Sequence, residues 1–112
     1  MNEGVVFLDQ EGKRAHYLNQ ALCQLTGYSM AEWQEDVVGI GIAVYGLGKD
    51  GYHSLRAEMA AALAQYNLWQ GSMKFHHRDG TQFDVAITCN RVREPGGREV
   101  GTLMAVSYTH LT

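Results

Sequence analysis

The chain has 112 residues, 46% hydrophobic and 19% charged, which is the balance of an ordinary soluble domain. A net charge of −3 argues against a surface for nucleic acid or anionic membranes. No apolar run approaches the roughly 20 residues of a membrane span, and the N-terminus lacks a secretion signal. We therefore expect one cytoplasmic domain, residues 1–112, with reduced thiols at Cys23 and Cys89.

The N-terminal third predicts a β-hairpin followed by two short helices. Residues 4–9 and 14–18 are short β-branched and aromatic runs around a turn, as in paired strands. Asn19 is suited to cap a helix, and Gly27 is typical of the residue just past a helix end. The stretch 29–32, "SMAE", has the capping-box pattern of a second helix. Two helices that meet at such a corner indicate a chain that curls around something.

The middle of the chain combines an ambiguous stretch with a clear helix. Residues 36–51 are apolar and β-branched but interrupted by glycines, and their pattern fits neither the period of a helix nor that of a strand well. From Tyr52 to about Gln65, apolar residues recur at helical spacing and predict one long helix. Its predicted apolar face comprises Tyr52, Leu55, Met59, Ala62, Leu63 and Tyr66.

The C-terminal third predicts three strands, at residues 68–77, 82–90 and 100–108. An Asp-Gly turn joins the first pair and a Gly-rich turn the second. Both faces of the last strand are fairly apolar, so we expect its outer side to be covered. Strands and helices are segregated along the chain, which predicts an α+β fold with one antiparallel sheet.

Two motifs separated by the long helix resemble those of PAS domains. They are "YLNQALCQLTGYSMAEW" (17–33) and "LWQGSMKFHHRDGTQFDV" (68–85), and the resemblance covers about residues 4–106. It implies a five-stranded antiparallel sheet of order 2-1-5-4-3, with several short helices and one longer helix over one face. It also implies a small-molecule hollow beneath the helices. Family members serve mainly as sensory or dimerisation modules upstream of kinases, cyclases and transcription regulators.

We accordingly expect a PAS sensory or interaction module of a cytoplasmic signal-transduction protein, not an enzyme. It would bind a small ligand or a partner and relay a conformational signal to an effector domain absent from this chain. The expected partner is a second copy or an effector domain of histidine kinase or cyclase type. The predicted pocket residues are Leu25, Leu55, Met59, Met73, Phe75 and Ile87, with Trp69 near the mouth.

The last strand is the expected route of the signal. Apolar area on its outer side predicts dimerisation there, through residues drawn from Val100, Leu103, Met104 and Ala105. Family members usually end this strand with an Asp-x-Thr triplet, whereas this chain has Ser-Tyr-Thr at 107–109. Coupling through that acid is therefore not expected. The tail at 107–112 also differs in composition from the strand before it, and we leave it outside the predicted core.

Many PAS domains bind haem or flavin, but no specific motif for either occurs in this sequence. His53 is the single histidine on the long helix, and it points about 130° away from the apolar face. The Asn-Cys-Arg-Phe-Leu-Gln block of photosensing relatives is absent, which leaves only non-covalent flavin binding open. The adjacent His76 and His77 point to opposite faces of a strand, so we predict no metal site and an unknown cofactor.

Two alternative interpretations stay open at this point. The first is a nucleotide-cofactor-binding oxidoreductase fragment, because "GLGKDG" (46–51) matches the dinucleotide fingerprint between an apolar stretch and a helix. Hairpins rather than further βαβ units follow it, so a flexible loop is the simpler prediction. The second is a structural dimerisation domain that fills its core and binds no ligand. Catalysis has no support from a nucleophile–base pair, paired carboxylates or a phosphate loop.

Overall fold

The fold is known from a computed structural model, which describes residues 3–109. Its five strands are β1 (Gly4–Leu8), β2 (Ala15–Leu18), β3 (Trp69–His76), β4 (Gln82–Arg93) and β5 (Glu99–Tyr108). Its four helices are α1 (Gln20–Thr26), α2 (Met30–Glu35), α3 (Val37–Tyr45) and α4 (Gly48–Tyr66). All four helices fall between β2 and β3, which is the segregated order that the sequence predicts.

The strands form one antiparallel sheet in the order β2-β1-β5-β4-β3, which confirms the predicted fold class and strand order. The last strand of the chain is therefore the central one, with β1 on one side and β4 on the other. Met104 of β5 lies opposite both Val6 of β1 and Cys89 of β4. The helices contact the strands on both sides of β5: α1 packs on β1, α2 on β2, α3 on β3, and α4 on β3 and β4.

Side chains alternate along the strands between a buried face and a more open one. The buried face packs against the helices, and its members on β1, β4 and β5 are Val6, Leu8, Val85, Ile87, Cys89, Met104 and Val106. Leu22, Leu25, Trp33 and Val44 are among the helical residues packed against them. The core is thus a single layer between the sheet and the helices.

The corner between α1 and α2 has the capping chemistry that the sequence predicts. The Asn19 side-chain oxygen accepts hydrogen bonds from the backbone N–H of Leu22 at 3.1 Å and of Val5 at 2.9 Å. Gly27 ends α1 with φ +83°, and a capping box at 29–32 starts α2. The Asn19 bonds tie the start of α1 directly to β1.

Two predictions for the middle of the chain are wrong. The predicted flexible loop at 46–51 is largely helical, because Gly46 ends α3 with φ +66° and α4 begins at Gly48 rather than at Tyr52. Tyr66 does not belong to the apolar face, since it is the last residue of α4 and its side chain is 69% exposed. The ambiguous residues 37–45 form α3, where burial of the apolar side chains outweighs the strand preference of valine and isoleucine.

The strand bounds differ from prediction mainly at β4, which continues to Arg93 rather than ending at Asn90. β5 ends at Tyr108, as the predicted strand 100–108 does, so Ser107 and Tyr108 belong to the sheet although their composition also suggested a tail. The Thr109 N–H donates to the Asp84 carbonyl. The rest of the predicted tail, residues 110–112, lies outside the described residues.

The loop "GLGKDG" does not have the setting of a dinucleotide site. A helix, α3, precedes it instead of a strand, and the strands of residues 3–109 pair only in antiparallel fashion. A parallel crossover, which the fingerprint requires, is therefore missing from this part of the chain. Among the same residues, no helix has the length and apolar character to cross a membrane.

Candidate ligand-binding site

A small apolar cavity of about 30 Å³ lies between the helices and the inner face of the sheet. The sheet contributes side chains from β1, β3 and β5, and the helices contribute side chains from all four. We call it the apolar cavity, and its lining residues are Val6, Leu8, Leu22, Trp33, Val37, Gly41, Tyr45, Tyr52, Arg56, Phe75, Met104 and Val106.

Four aromatic side chains are among the residues that line this cavity. Tyr45 of α3 stacks on Phe75 of β3, with ring centroids 5.5 Å apart, and its ring lies 5.3 Å from that of Tyr52. Gly41 permits this packing, because a Cβ at that position would lie 2.8 Å from a carbon of the Tyr52 ring. The absence of a side chain at Gly41 therefore lets α3 and α4 approach closely above the cavity.

The cavity carries few polar groups, and two of them are tyrosine hydroxyls. The Tyr45 hydroxyl donates only to the Met104 sulfur, at 3.7 Å, and thioethers are weak acceptors. Burial raises the pKa of Tyr45 well above its usual value, so the hydroxyl stays protonated at physiological pH. The Tyr52 hydroxyl accepts a hydrogen bond from Arg56 Nη1 at 2.9 Å.

A second cavity, of about 50 Å³, lies beside the first and is more polar. It is bounded by the turn after β1, by α4, and by β4 and β5. We call it the polar cavity, and its lining residues are Leu8, Gln10, Arg56, Met59, Ala60, Leu63, Cys89, Arg91, Thr102 and Met104. Leu8, Arg56 and Met104 line both cavities, so these three side chains form the partition between them.

Neither haem nor flavin fits the two cavities as they stand. Pockets for drug-sized ligands measure roughly 300–1,000 Å³. The cavities of about 30 and 50 Å³ are far smaller, since Trp33, Tyr45, Tyr52 and Phe75 occupy the intervening space. Within residues 3–109, no three His, Cys, Asp or Glu side chains come together as metal ligands.

The sequence-predicted pocket residues are distributed between the cavities and the surrounding core. Phe75 lines the apolar cavity and Met59 lines the polar one. Leu25 and Ile87 are buried in the core without lining either cavity, and Leu55, Trp69 and Met73 are half-buried and pack against it. The Trp69 indole N–H donates to Glu58 at 3.0 Å, which holds the ring beside α4. Ligand binding by these seven residues stays a prediction.

Sequence reasoning missed Tyr45 and Arg56 and did not assign Tyr52 to the pocket. Tyr45 lies in the stretch whose period is ambiguous, so its orientation could not be predicted. Arg56 follows Tyr52 by four residues, a spacing that places two side chains on one helical face. That spacing was the available signal, but a charged residue is not ordinarily expected to line a core. His53 is exposed on the opposite side, in agreement with its predicted direction.

The two cysteines should differ in reactivity, because Cys89 is only 1% exposed whereas Cys23 is half-buried. Burial raises the pKa of Cys89 to about 11, so little reactive thiolate forms at pH 8. Burial also raises the pKa of Cys23, but reagents can reach its side chain. We expect brief treatment with iodoacetamide to add one label, at Cys23, as measured by peptide mass spectrometry.

Cys23→Ser is the matched control for the labelling, and it should leave the folded protein almost unlabelled over the same interval. Unfolding the control in urea should then expose Cys89 and restore one label. Equal labelling of both thiols in the folded wild-type protein would contradict the burial of Cys89.

A hollow between one antiparallel sheet and the helices that cover one of its faces is characteristic of a class of small α+β domains. A sequence model described as PAS domain matches residues 2–107 of the chain. The chain therefore belongs to the PAS domain family. No curated protein matches the chain.

Solved structures support the same fold. The PAS domain of a Colwellia psychrerythraea protein has a TM-score of 0.79 and 20% identity, over 96% of this chain and 86% of that one. The N-terminal domain of a diguanylate cyclase with PAS/PAC sensor from Marinobacter aquaeolei has a TM-score of 0.71 and 11% identity, covering 96% and 94%. A PAS domain from a two-component sensor histidine kinase has a TM-score of 0.66 and 14% identity, covering 96% and 85%.

Proposed function

We propose that residues 1–112 form one sensory and interaction module of a cytoplasmic signal-transduction protein. The module binds a small molecule between the helices and the sheet, and it relays the resulting change to an effector domain. The observation that carries this proposal is the pair of adjoining cavities at the partition formed by Leu8, Arg56 and Met104. Neighbours of the same fold from a sensor histidine kinase and a diguanylate cyclase support an effector of kinase or cyclase type.

The central strand offers a direct route from the cavities to the other face of the sheet. Met104 and Val106 of β5 line the apolar cavity, so strand alternation directs Leu103 and Ala105 to the opposite face. Met104 is therefore not one of the residues through which we propose dimerisation, since its side chain is only 6% exposed. A ligand that displaces β5 would move Leu103 and Ala105 with it.

The outer face presents an apolar row that suits a second copy of the chain. Phe7 of β1 lies opposite Tyr17 of β2 on one side and Leu103 of β5 on the other. Tyr17 is 56% exposed and Leu103 38% exposed, although both are large hydrophobic residues. The row carries no formal charge, so it can meet the same row of a two-fold-related copy without repulsion. We propose a homodimer through this row.

The relay can be tested in a hybrid protein in which this chain replaces the PAS domain of a diguanylate cyclase. We expect Val37→Leu, which adds a methylene at the apolar cavity, to change cyclase activity several-fold because it mimics partial occupancy. Val37 lies on α3, outside the sheet and away from its outer face, so an effect on the effector has to be relayed from the helices. Activity is measured as product formed per enzyme, and oligomeric state by light scattering.

Two further variants complete the hybrid experiment. Leu103→Glu should dissociate the dimer and remove the response, because it places a charge in the apolar row. Gly96→Ala is the matched control, since no heavy atom lies within 4 Å of the added methyl. If the hybrid is active and dimeric but Val37→Leu does not change its cyclase activity, the proposed relay of a signal from the cavity to the effector is contradicted.

A ligand-free structural dimerisation domain is the second candidate. It is favoured by the way in which Trp33, Tyr45, Tyr52 and Phe75 fill the hollow and leave only small cavities. This candidate predicts that Leu103→Glu dissociates the dimer whereas Val37→Leu has no effect on output. The same hybrid therefore separates the two functions.

A further inference from the structure

Arg56 occupies an unusual position for a charged side chain. It belongs to the face of α4 that packs toward the sheet, and its side chain is half-buried at the partition between the two cavities. On its outer side it lies against the turn after β1, where a Cβ at Gly12 would come within 1.9 Å of Arg56 Nη2. Gly12 thus leaves the room in which the guanidinium rests.

Most other arginines of the described chain are paired with a carboxylate, but Arg56 is not. Arg78 pairs with Glu32, Arg91 and Arg93 with Glu99, and Arg98 with Glu94 at distances of 2.8–3.1 Å. Among residues 3–109, Arg56 and Arg14 have no carboxylate within 4.0 Å, and of the two only Arg14 is exposed to water. Arg56 is therefore a half-buried cation without an anionic partner.

The hydrogen-bonding capacity of Arg56 is also largely unused by side chains. A guanidinium carries five N–H donors in a planar fork that matches the two oxygens of a carboxylate. The described residues offer one side-chain acceptor, the Tyr52 hydroxyl at 2.9 Å. Burial of a charge is costly unless the charge is paired and hydrogen-bonded, so an anion placed at this guanidinium would be stabilised.

We propose that the two cavities bind a short-chain monocarboxylate, with its carboxylate on Arg56 in the polar cavity and its alkyl chain in the apolar cavity. Thr102 lines the polar cavity and can donate a further hydrogen bond to the carboxylate. Gln10 lines it too, but one N–H of its side-chain amide already donates to the Glu99 carbonyl, which leaves one for a ligand. Arg91 also lines it, but its guanidinium is held by Glu99 at 2.9 Å, which leaves Arg56 as the recognition group. This inference rests on the proposed sensory function and assigns its ligand class.

The cavity sizes restrict the length of the alkyl chain. A dry cavity of about 150 Å³ in another protein is large enough for benzene. The cavities of about 30 and 50 Å³ are smaller than that, so the ligand has few carbon atoms. An alkyl chain that connects the two spaces must displace part of the partition, and the unbranched Met104 side chain has the rotatable bonds to move aside. Propionate and butyrate are accordingly the probes of choice.

The test compares each carboxylate with its neutral amide. Propionate, butyrate, propionamide and butyramide are titrated at pH 7 into the full chain, and binding is followed by amide chemical shifts in NMR spectra. We expect butyrate to bind at least about tenfold more tightly than butyramide, because only the carboxylate pairs with the guanidinium. The shifts should concentrate on β1, α4 and β5, whose residues line both cavities.

Arg56→Gln should remove this preference, lowering the affinity for butyrate about tenfold and leaving butyramide unchanged. Arg56→Lys keeps the charge but not the fork, so it should retain part of the preference and provides a second variant if glutamine perturbs folding. Arg14→Gln is the matched control, because it removes the same charge from an exposed site that lines neither cavity and should leave butyrate binding unchanged.

Several results would overturn the inference. Equal affinities for acid and amide, an Arg56→Gln variant that binds butyrate as well as wild type, or no binding of any probe would each exclude a carboxylate site at Arg56. The sensory function would still be tested independently, because the expected response of the hybrid cyclase to Val37→Leu does not depend on the charge of the natural ligand.

Discussion

Gly101→Ala is expected to destabilise the protein by about 3 kcal/mol, which is at the upper end of the usual range for overpacking. Gly101 is a buried residue of β5, opposite Val92, at a point where the pairing of β4 and β5 shifts register. A Cβ there would lie 2.0 Å from the Leu8 carbonyl oxygen and 2.7 Å from a ring carbon of Phe7. Since the first of these atoms belongs to the backbone, the clash can be relieved only by moving β1 away from β5.

Urea unfolding at equilibrium, followed by tryptophan fluorescence, measures this loss. Gly96→Ala provides the control, because Gly96 lies in the turn before β5 with no heavy atom within 4 Å of the added methyl and no positive φ. It should change the free energy of unfolding by less than about 0.5 kcal/mol. A Gly101→Ala variant as stable as this control would contradict the close approach of β1 and β5.

Trp33→Ala is expected to cost about 3–5 kcal/mol, the range for removing a large aromatic side chain from a core. The indole is 6% exposed, lines the apolar cavity and meets the Tyr28 ring edge-on at 6.5 Å. Its N–H donates to the hydroxyl of the fully buried Thr26 at 3.2 Å. Its removal therefore enlarges the cavity and also loosens the corner between α1 and α2. Thermal and urea unfolding both report the change.

A double-mutant cycle separates the hydrogen bond from the packing. Thr26→Val keeps the shape of the side chain but leaves the buried indole N–H without its acceptor, which should cost about 1–3 kcal/mol. In a Trp33→Phe background the same substitution should cost less, because no indole N–H remains. The lost bond from Thr26 to the Leu22 carbonyl is common to both backgrounds and cancels. Equal costs in the two backgrounds would show that the indole bond is not a stabilising contact.

Much of the fold could be predicted because its signals are local. The bonds that cap α1 and α2 join Asn19 and Ser29 to backbone groups three residues away, and Gly27 sets a backbone angle of its own. Strand alternation and the Asp79-Gly80 turn are likewise signals that each span only a few consecutive residues. The order of the strands is different, because it followed from the resemblance to PAS domains rather than from any local pattern.

The remaining features depend on contacts between distant parts of the chain. Helix α3 combines valine, isoleucine and glycine, and only its packing against α4 and β3 selects the helical state. The apolar face of α4 was predicted well at Met59 and Leu63, which are both buried. Arg56 was not predicted to line a cavity. Its position depends on Gly12, which is distant in sequence, and on the absence of a nearby carboxylate, and no periodic sequence pattern indicates either.

The hydrogen bonds of Asn19 influence which part of the domain opens locally. Its amide oxygen joins the backbone of Val5 to that of Leu22, and its amide nitrogen donates to the Glu3 carbonyl. Helix α1 is thereby fastened to β1, whereas α4 begins without a side-chain cap. Hydrogen exchange should consequently be faster in the first turn of α4 than in the first turn of α1, where the Leu22 N–H is bonded to Asn19. We expect the start of α4 to fray before α1 separates from the sheet, which would make it the point of entry to the interior.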